Sequence, residues 1–297
     1  MLAADNQAAS PQSDSATIVA TTIQRCSQFA TLPTVAVQII RITEDPHSTI
    51  DDLKRVISQD PVLGVRILKL VNSSFYGMTG QVASIDRALN LLGLRAVKSI
   101  AIAVSLTKLF RGGTVGVNFD PAQLWTHSIA VATGARILAA HSELVPCDEA
   151  FLAGLIHDLG ILIEIQSNAQ KFLQLTRRIA ADESLAFRQG EIETFGASHE
   201  EFGASLCENW NFPRRLQLAT GYHHRPWELS EADRPLPAIV HIADVISARL
   251  ALGYSRTVET AFIDPAMLDA ANLTESMIGE ITDDLSDVMR QSASMFA

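Results

Sequence analysis

The sequence predicts an all-α fold, an irregular helical bundle in which an N-terminal helical part packs on a second helical domain. Three observations carry this prediction. Apolar residues recur at the three- and four-residue spacing of helices along most of the 297 residues. Serine, threonine or aspartate stands just before several of these segments, where such residues cap helices. No convincing series of strands and no internal repeat occurs, so we expect helices packed on helices.

The elements of the N-terminal half follow in order from their caps. Residues 1–15 are small and polar, which predicts a loose tail. Thr49-x-x-Asp52 is a capping-box pattern, and Asp60-Pro61 combines an N-cap with a proline at the first helical position. Ser84 caps the next segment. Residues 94–110 are apolar on nearly every side, so we expect a buried helix there.

A glycine-rich stretch divides the chain. Residues 111–121, RGGTVGVNFDP, separate two helical series and predict two all-α parts with a large shared interface. We therefore expect a flexible tail over residues 1–15, an N-terminal helical part over 16–115 and a second helical domain over 116–297. Within that second domain, Ser198-x-x-Glu201 forms another capping-box pattern.

Composition excludes several classes of protein. An apolar fraction of 47% with a charged fraction of 19% indicates a folded chain rather than a disordered one. The net charge of -10 argues against DNA binding, which needs a basic face. No uninterrupted apolar stretch of about 20 residues and no signal peptide is visible, so we expect no membrane association. Three scattered cysteines without a CxxC pair favour a reducing, cytoplasmic location.

Titratable residues in apolar surroundings mark the candidate site. Eight histidines occur, and seven of them follow residue 120. In GLIHDLGILIEIQ, His157 and Asp158 stand side by side, although unpaired polar groups are costly in a buried segment. Five more residues on helices or at helix ends could point inward: His127, His199, His223, His224 and Asp244. A single histidine of this kind is usually a hydrogen-bonded core residue, so the argument depends on their joint placement.

These seven residues have the donor atoms of a metal site. Imidazole and carboxylate together suit Fe, Mn, Zn or Ni, whereas a hydroxyl or a backbone carbonyl is the alternative partner for a buried histidine. A carboxylate such as Asp158 can bridge two ions, and paired ions favour displacement at phosphoesters. The sequence therefore predicts a site for one or two divalent metal ions, of a kind that the sequence does not specify.

The order H … HD … H … HH … D resembles the HD superfamily of metal-dependent phosphohydrolases, and most closely its HD-GYP cyclic-dinucleotide phosphodiesterases. The N-terminal half is more specific: LPTVAVQIIRITEDP, SQDPVLGVRILKLVNSSFYG and SIDRALNLLGLRAVKSIAIAVSL resemble the HDOD family, a regulatory relative of HD-GYP proteins. The segments WTHSIAVA, FLAGLIHDLG, FGASHEEFGASLCENWNFP and HIADVI continue the resemblance. It covers roughly residues 25–255.

The resemblance implies a role for each of the seven residues. The core HD ligands correspond to His127, His157, Asp158 and Asp244. The positions that complete a second metal site in HD-GYP proteins correspond to His199, His223 and His224. The expected HD-type domain over residues 116–297 would thus hold the complete set.

Two near-site positions depart from the HD-GYP pattern. Ile161 stands where those enzymes have a lysine that meets substrate phosphate, and it has neither charge nor donor. Gln123, one helical turn before His127, replaces an acidic ligand with a weak neutral one. The GYP motif is also absent, because Gly221-Tyr222 is followed by His223. The metal ligands are therefore expected to be retained without the phosphate-binding groups.

Three functions agree with these residues. The first is a signalling module with weak or absent catalysis, which contacts a signalling protein partner and holds a metal or a nucleotide; HDOD proteins are usually discussed as such scaffolds. The second is a metal-dependent phosphohydrolase acting on a nucleotide or cyclic dinucleotide. The third is a purely structural fold whose histidines pack or hydrogen-bond. In the second case the missing lysine would be replaced by Lys98, Arg95, Arg214, Arg215 or Arg225.

Overall fold

Helices make up the regular structure of this protein. The structure is a computed structural model and describes residues 11–26, 34–44, 47–72, 76, 80–110, 119–182 and 184–296. Within these ranges there are helices and no β-strand, so the all-α prediction is confirmed. The helices are α1 Pro11–Arg25, α2 Thr34–Glu44, α3 Ile50–Ser58, α4 Pro61–Val71, α5 Ile85–Leu106, α6 Pro121–Ser142, α7 Cys147–Ile156, α8 Leu159–Ser167, α9 Ala169–Ala181, α10 Phe187–Phe195, α11 His199–Asn209, α12 Arg214–Tyr222, α13 Pro235–Arg249, α14 Pro265–Ala270 and α15 Glu275–Phe296.

The predicted caps of the N-terminal half are present. Thr49 and Asp52 form both hydrogen bonds of a capping box at the start of α3. The Asp60 carboxylate accepts from the Val62 and Leu63 amides at the start of α4. Helices α2, α3 and α4 pack against α5. The predicted buried helix is the second part of α5, which begins after a break at Gly93, whose φ of 81° is non-helical.

Helix α1 differs from the sequence expectation. Residues 11–15 were expected in a loose tail, yet α1 begins at Pro11, and residues 1–10 lie outside the described part. Proline is favoured in the first turn of a helix, and Val19 and Ile23 supply a buried face. This face packs on α8 and α11 of the second half of the chain. The expected tail was therefore too long, because the short polar start precedes an apolar face that other helices cover.

The second half of the chain is arranged around α6. Helices α7, α13 and α15 pack against α6, while α11 packs between α8 and α12. Helix α5 also contacts α7, so the two predicted halves are packed together. The expected boundary at residues 115 and 116 falls within residues 111–118, which lie outside the described residues, and the division into domains stays a prediction.

In the part of the chain that the structure describes, two helical segments are long and apolar enough to cross a membrane by composition alone. They are Ile85–Leu106 and Cys147–Ser167, and 67% and 83% of their most apolar windows are buried inside the protein. Contact with other helices therefore accounts for their apolar character.

Two glycines allow helices of the second half to approach very closely. A Cβ on Gly154 of α7 would lie 2.8 Å from the Cα of Ala132 in α6. A Cβ on Gly160 of α8 would overlap the carbonyl group of His199 and lie 2.8 Å from the amide nitrogen of Gly203. The opposing atoms belong to the backbone and cannot move aside as a side chain would. These contacts therefore fix where α8 meets α11.

We expect Gly160→Ala to lower the free energy of unfolding by about 2 kcal/mol or more, because the added methyl overlaps backbone. The matched control is Gly279→Ala in α15, where an added Cβ meets nothing within 4 Å. At this position alanine should raise the free energy of unfolding by about 0.5–1 kcal/mol, because its helix propensity is higher than that of glycine. Urea denaturation of both variants measures the difference, and equal stabilities would show that α8 and α11 are not in close contact.

Candidate metal centre

The seven candidate residues come from six elements that meet at one place. His127 lies in α6 and Asp244 in α13. His157 and Asp158 form the junction between α7 and α8. The other three lie at helix ends: His199 begins α11, whereas His223 and His224 follow α12. The Ser198-x-x-Glu201 capping box is formed and sets the start of α11. The structure thus brings together all seven side chains, although their role as metal ligands stays a prediction.

The first group of donor atoms lies between α6, α13 and the α7–α8 junction. The Nε2 atom of His127 is 2.9 Å from Oδ1 of Asp244 and 3.9 Å from Oδ2 of Asp158. The Nε2 atom of His157 is 3.3 Å from the same Asp158 oxygen. Ligand atoms of His127, His157 and Asp158 lie within 4.8 Å of one another, which is close enough to hold one ion.

The second group lies on the other side of Asp158. Its Oδ1 atom is 3.4 Å from Nε2 of His199 and 3.6 Å from Nε2 of His223. The ligand atoms of these three residues and of His224 lie within 4.8 Å of one another. The two carboxylate oxygens of Asp158 therefore face different groups of imidazoles. This is the arrangement of a carboxylate that bridges two ions.

Hydrogen bonds to Nδ1 determine the orientation of four imidazoles. The Nδ1 atoms of His127, His157 and His223 lie 3.3, 2.7 and 2.9 Å from the carbonyl oxygens of Leu252, Gly154 and Thr220. The Nδ1 atom of His199 lies 2.8 Å from both carboxylate oxygens of Glu191. Carbonyl oxygens only accept hydrogen bonds, so Nδ1 of His127, His157 and His223 is the donor. Each of the four Nε2 atoms is then directed into the cluster, which is the orientation that metal ligation requires.

The donor set fits a divalent cation. The Nε2 atoms of His127, His157 and His224 and both oxygens of Asp158 and Asp244 are buried without a hydrogen-bond partner among the described residues. Buried polar atoms are normally satisfied, so this many in one place requires an explanation. Imidazole nitrogen with carboxylate oxygen is the donor combination that Zn, Fe, Mn and Ni accept. One or two such ions would satisfy these atoms.

Electrostatics keep the two aspartates ionised. Burial alone would raise the pKa of the Asp158 carboxyl, but His157, His223 and His199 outweigh burial and hold that pKa well below its ordinary value. The pKa of Asp244 is lowered in the same way, against burial, by the neighbouring imidazoles of His127 and His157. Burial and neighbouring histidines lower the pKa of His224 well below its usual value. Ionised carboxylates and a neutral imidazole are the forms that bind metals.

A buried glutamate pair behind His199 was missed by the sequence analysis. Glu191 of α10 accepts from both Nδ1 and the backbone amide of His199, and Glu164 of α8 lies beside it. Burial raises the pKa of both carboxyls, and Glu191 raises that of Glu164 further. Glu164 stood in the apolar segment GLIHDLGILIEIQ, where a lone carboxylate was a signal of burial. The sequence around Glu191 carries no such signal.

A third buried glutamate, also missed, supports His224. Glu200 is fully buried, and its Oε2 atom accepts from Nε of Arg188 at 2.8 Å and from Nε of Arg225 at 3.0 Å. Its Oε1 atom accepts from the backbone amide of His224 at 3.3 Å. Nearby, Nδ1 of His241 donates to the carbonyl oxygen of His223 at 2.8 Å. These contacts hold the segment after α12 in place.

The two near-site residues, Gln123 and Ile161, differ in their burial. Gln123 was expected to face the site from the same side of α6 as His127, but the residue is exposed, and its backbone carbonyl accepts from the Tyr254 amide at 3.0 Å. It lies in the first turn of α6, at the edge of the packed region, so the expectation that it replaces a ligand is wrong. Ile161 is fully buried one turn after Asp158, and its amide donates to the Asp158 carbonyl at 3.1 Å.

We expect Glu164→Gln to make the metal-free protein less sensitive to alkali. The folded-state pKa of Glu164 is raised, whereas the pKa of a glutamate in the unfolded chain is about 4.3. Below that unfolded-state pKa the carboxyl is protonated in both states and does not lower the free energy of unfolding. As the pH rises from there towards the folded-state pKa, the free energy of unfolding falls. Glutamine cannot ionise. Melting temperatures measured between pH 5 and pH 8 should therefore diverge in favour of the variant as pH rises. A constant difference, as expected for exposed Glu208→Gln, would contradict this.

Comparison with known proteins agrees with the fold and with the family resemblance. The family model of the HDOD domain matches residues 29–226, which are 198 of the 297 residues. An uncharacterized protein of Treponema pallidum (strain Nichols) is 26% identical over 243 residues, which are 79% of this chain and 45% of that protein. The chain thus spans less than half of the length of this relative.

Two solved structures show the same fold. An HDOD domain protein of unknown function from Geobacter sulfurreducens is 24% identical, with a TM-score of 0.74 over 93% of this chain and 99% of that chain. A protein from Shewanella amazonensis SB2B is 23% identical, with a TM-score of 0.73 over 93% of this chain and 97% of its own. At this identity the likeness concerns the fold. With the family model covering two thirds of its length, the chain belongs to the HDOD domain family.

Proposed function

We propose that this protein is a regulatory HDOD module that binds one or two divalent metal ions, contacts a signalling protein partner and has weak or absent phosphohydrolase activity. The observation that carries the proposal is the buried cluster of seven residues, which come from six elements and five of which have donor atoms without a hydrogen-bond partner among the described residues. We place the module in the cytoplasm, and its three cysteines, which are all free thiols, support a reducing compartment.

The burial of the cluster favours regulation over turnover. Each of its seven residues is between 0 and 7% exposed, and His224 is the most exposed. When bound, an ion would act as a Lewis acid and link the helices that supply its ligands. Asp158 would join the two groups, while Glu191 would hold His199 in its binding tautomer. A phosphodiester could reach such a site only if the surrounding helices moved.

The cations considered as replacements for the missing lysine have other contacts. Hydrolysis of a phosphodiester needs a cationic group where charge develops, and removal of one such group costs about a hundredfold to a thousandfold in rate. The amine of Lys98 donates to the carbonyl oxygen of Ile42 at 3.1 Å, and the side chain of Arg95 is exposed. The remaining three are ion-paired: Arg214 with Asp233, Arg215 with Glu149, and Arg225 with Glu200. These contacts support low turnover.

The alternative function, metal-dependent hydrolysis of a nucleotide or cyclic dinucleotide, is favoured by one observation. Asp158 directs one oxygen to each group of imidazoles, and pairs of ions joined in this way suit phosphoryl displacement. Both functions require the metal. They differ in whether a substrate reaches it and is converted.

Exposed apolar side chains on the N-terminal helices support the proposed protein partner. On α4, Val62 and Val65 are 57% and 68% exposed, and Leu91 of the adjoining α5 is 53% exposed. Large apolar side chains that face water on neighbouring helices are typical of surfaces that other proteins cover. This supports a contact through the N-terminal half, as the sequence led us to expect.

We expect the protein purified without a histidine tag to contain one or two equivalents of Fe, Mn, Zn or Ni by mass spectrometry. The double variant His157→Ala/Asp158→Ala should contain less than a tenth of that amount, because it removes ligands from both groups. His141→Ala is the matched control, since His141 is exposed on the outside of α6. Metal retained in the double variant at the wild-type level would leave the purely structural fold as the better explanation.

We expect negligible turnover of cyclic di-GMP by the purified protein with Mn, Fe or Zn added. The reason is the buried site and the absence of a cation at Ile161, the position where HD-GYP enzymes have their lysine. Product formation is followed by liquid chromatography. A rate on the order of one per second that disappears in His157→Ala would instead establish the phosphohydrolase. Binding of cyclic di-GMP without product would agree with the regulatory module.

A further inference from the structure

A pocket outside the metal centre lies between the start of α10 and the segment after α13. Its volume is about 350 Å³. One wall is formed by residues 184–187 and the other by residues 248–249, 255–256 and 258–261. The second wall lies beyond residue 226, where the match to the family model ends, and none of the seven candidate ligands lines the pocket. The metal centre therefore does not account for this pocket.

Two arginines give the pocket a positive character. Arg249 and Arg256 both line it, and neither forms an ion pair within the described ranges. Each is instead held by a backbone carbonyl: Nε of Arg249 donates to Ala261 at 2.7 Å, and one terminal nitrogen of Arg256 donates to Ile179 at 3.0 Å. These bonds fix the guanidinium groups and leave further N–H groups for a ligand. Glu259 is the one acidic residue among those that line the pocket.

The start of α10 adds to the positive character of the pocket. Ala186 is the N-cap residue of α10 and lines the pocket, and it offers no side-chain acceptor for the first amide groups of the helix. Amides at a helix start favour negatively charged groups, and guanidinium groups bind phosphate through paired hydrogen bonds.

The remaining lining residues restrict the ligand further. Leu185, Phe187 and Val258 contribute apolar surface opposite polar groups. A volume of about 350 Å³ is at the lower end of the range for small-molecule pockets, so a mononucleotide suits it better than a cyclic dinucleotide. We propose that this pocket binds a small organic phosphate of mononucleotide size, with its phosphate on Arg249 and Arg256 and its ring system against the apolar side.

One side chain, that of Phe187, connects the pocket with the candidate metal centre. Phe187 lines the pocket, and its ring lies 6.2 Å from the rings of both His199 and Tyr254. The same helix carries Glu191, which holds His199. The pocket itself needs no metal to bind phosphate, so this proposal stands independently of the proposed function.

Calorimetric titration of the full chain tests the proposal, with 5′-GMP, 5′-AMP, guanosine, adenosine, inorganic phosphate and succinate as probes. A nucleotide should bind saturably, and its nucleoside should bind at least about tenfold more weakly, because a charged hydrogen bond is lost. Arg256→Gln should weaken nucleotide binding by about tenfold or more. Arg55→Gln is the matched control, since Arg55 is exposed and pairs with Asp52 in the N-terminal half.

A second variant separates binding from folding. Ala186→Asp places a carboxylate at the N-cap of α10, where aspartate is a favoured residue, so the melting temperature should stay equal or rise. The same carboxylate should repel phosphate and weaken nucleotide binding by about tenfold or more. Binding should persist in His157→Ala/Asp158→Ala if circular dichroism shows that variant folded. The proposal is wrong if no nucleotide saturates below about 10 mM, if nucleoside or succinate binds equally well, or if Arg256→Gln and Ala186→Asp bind like the wild type.

Discussion

The buried carboxylate of Asp158 is the constraint on which the rest of the structure depends. It is 1% exposed and faces imidazoles on both sides, so its charge is compensated only if several helices end at the same place. A buried charge without partners would cost several kcal/mol. Helix α6, the start of α11 and the segment after α12 each bring an imidazole to it, from His127, His199 and His223. Removal of any one of them would leave a charge or a lone pair uncompensated in the core.

Backbone packing makes this convergence possible. Gly160, two residues after Asp158, allows α8 to lie against the first turn of α11, where His199 begins the helix. Gly154 similarly lets α7 approach α6, which carries His127. The site is therefore built from short helix-to-helix distances as much as from its ligands. A side chain at either glycine would separate the groups that must meet at Asp158.

A second layer of polar residues connects the centre to its surroundings. Glu191 orients His199, and Glu200 holds the segment that carries His224. Helix α10 carries Glu191 on the side of the centre and Phe187 at the proposed phosphate pocket. A ligand that shifts the start of α10 would act on Phe187 and on the glutamate behind His199 together. The proposed regulatory role and the proposed pocket thus share one helix, although each can be tested without the other.

The sequence by itself determined the helical class, the caps of α3, α4 and α11, the break in α5 at Gly93 and the seven candidate residues. These features are local: a cap needs three or four neighbouring residues, and a titratable group in an apolar segment is conspicuous without any knowledge of its partner. Only the tertiary structure decided that residues 11–15 belong to a packed helix and that Gln123 faces solvent. It alone showed that Glu191 is buried, and it joined residues 184–187 to 248–261 around one cavity. In each of these cases the outcome depends on which distant helix covers a residue, and helical periodicity carries no information about that.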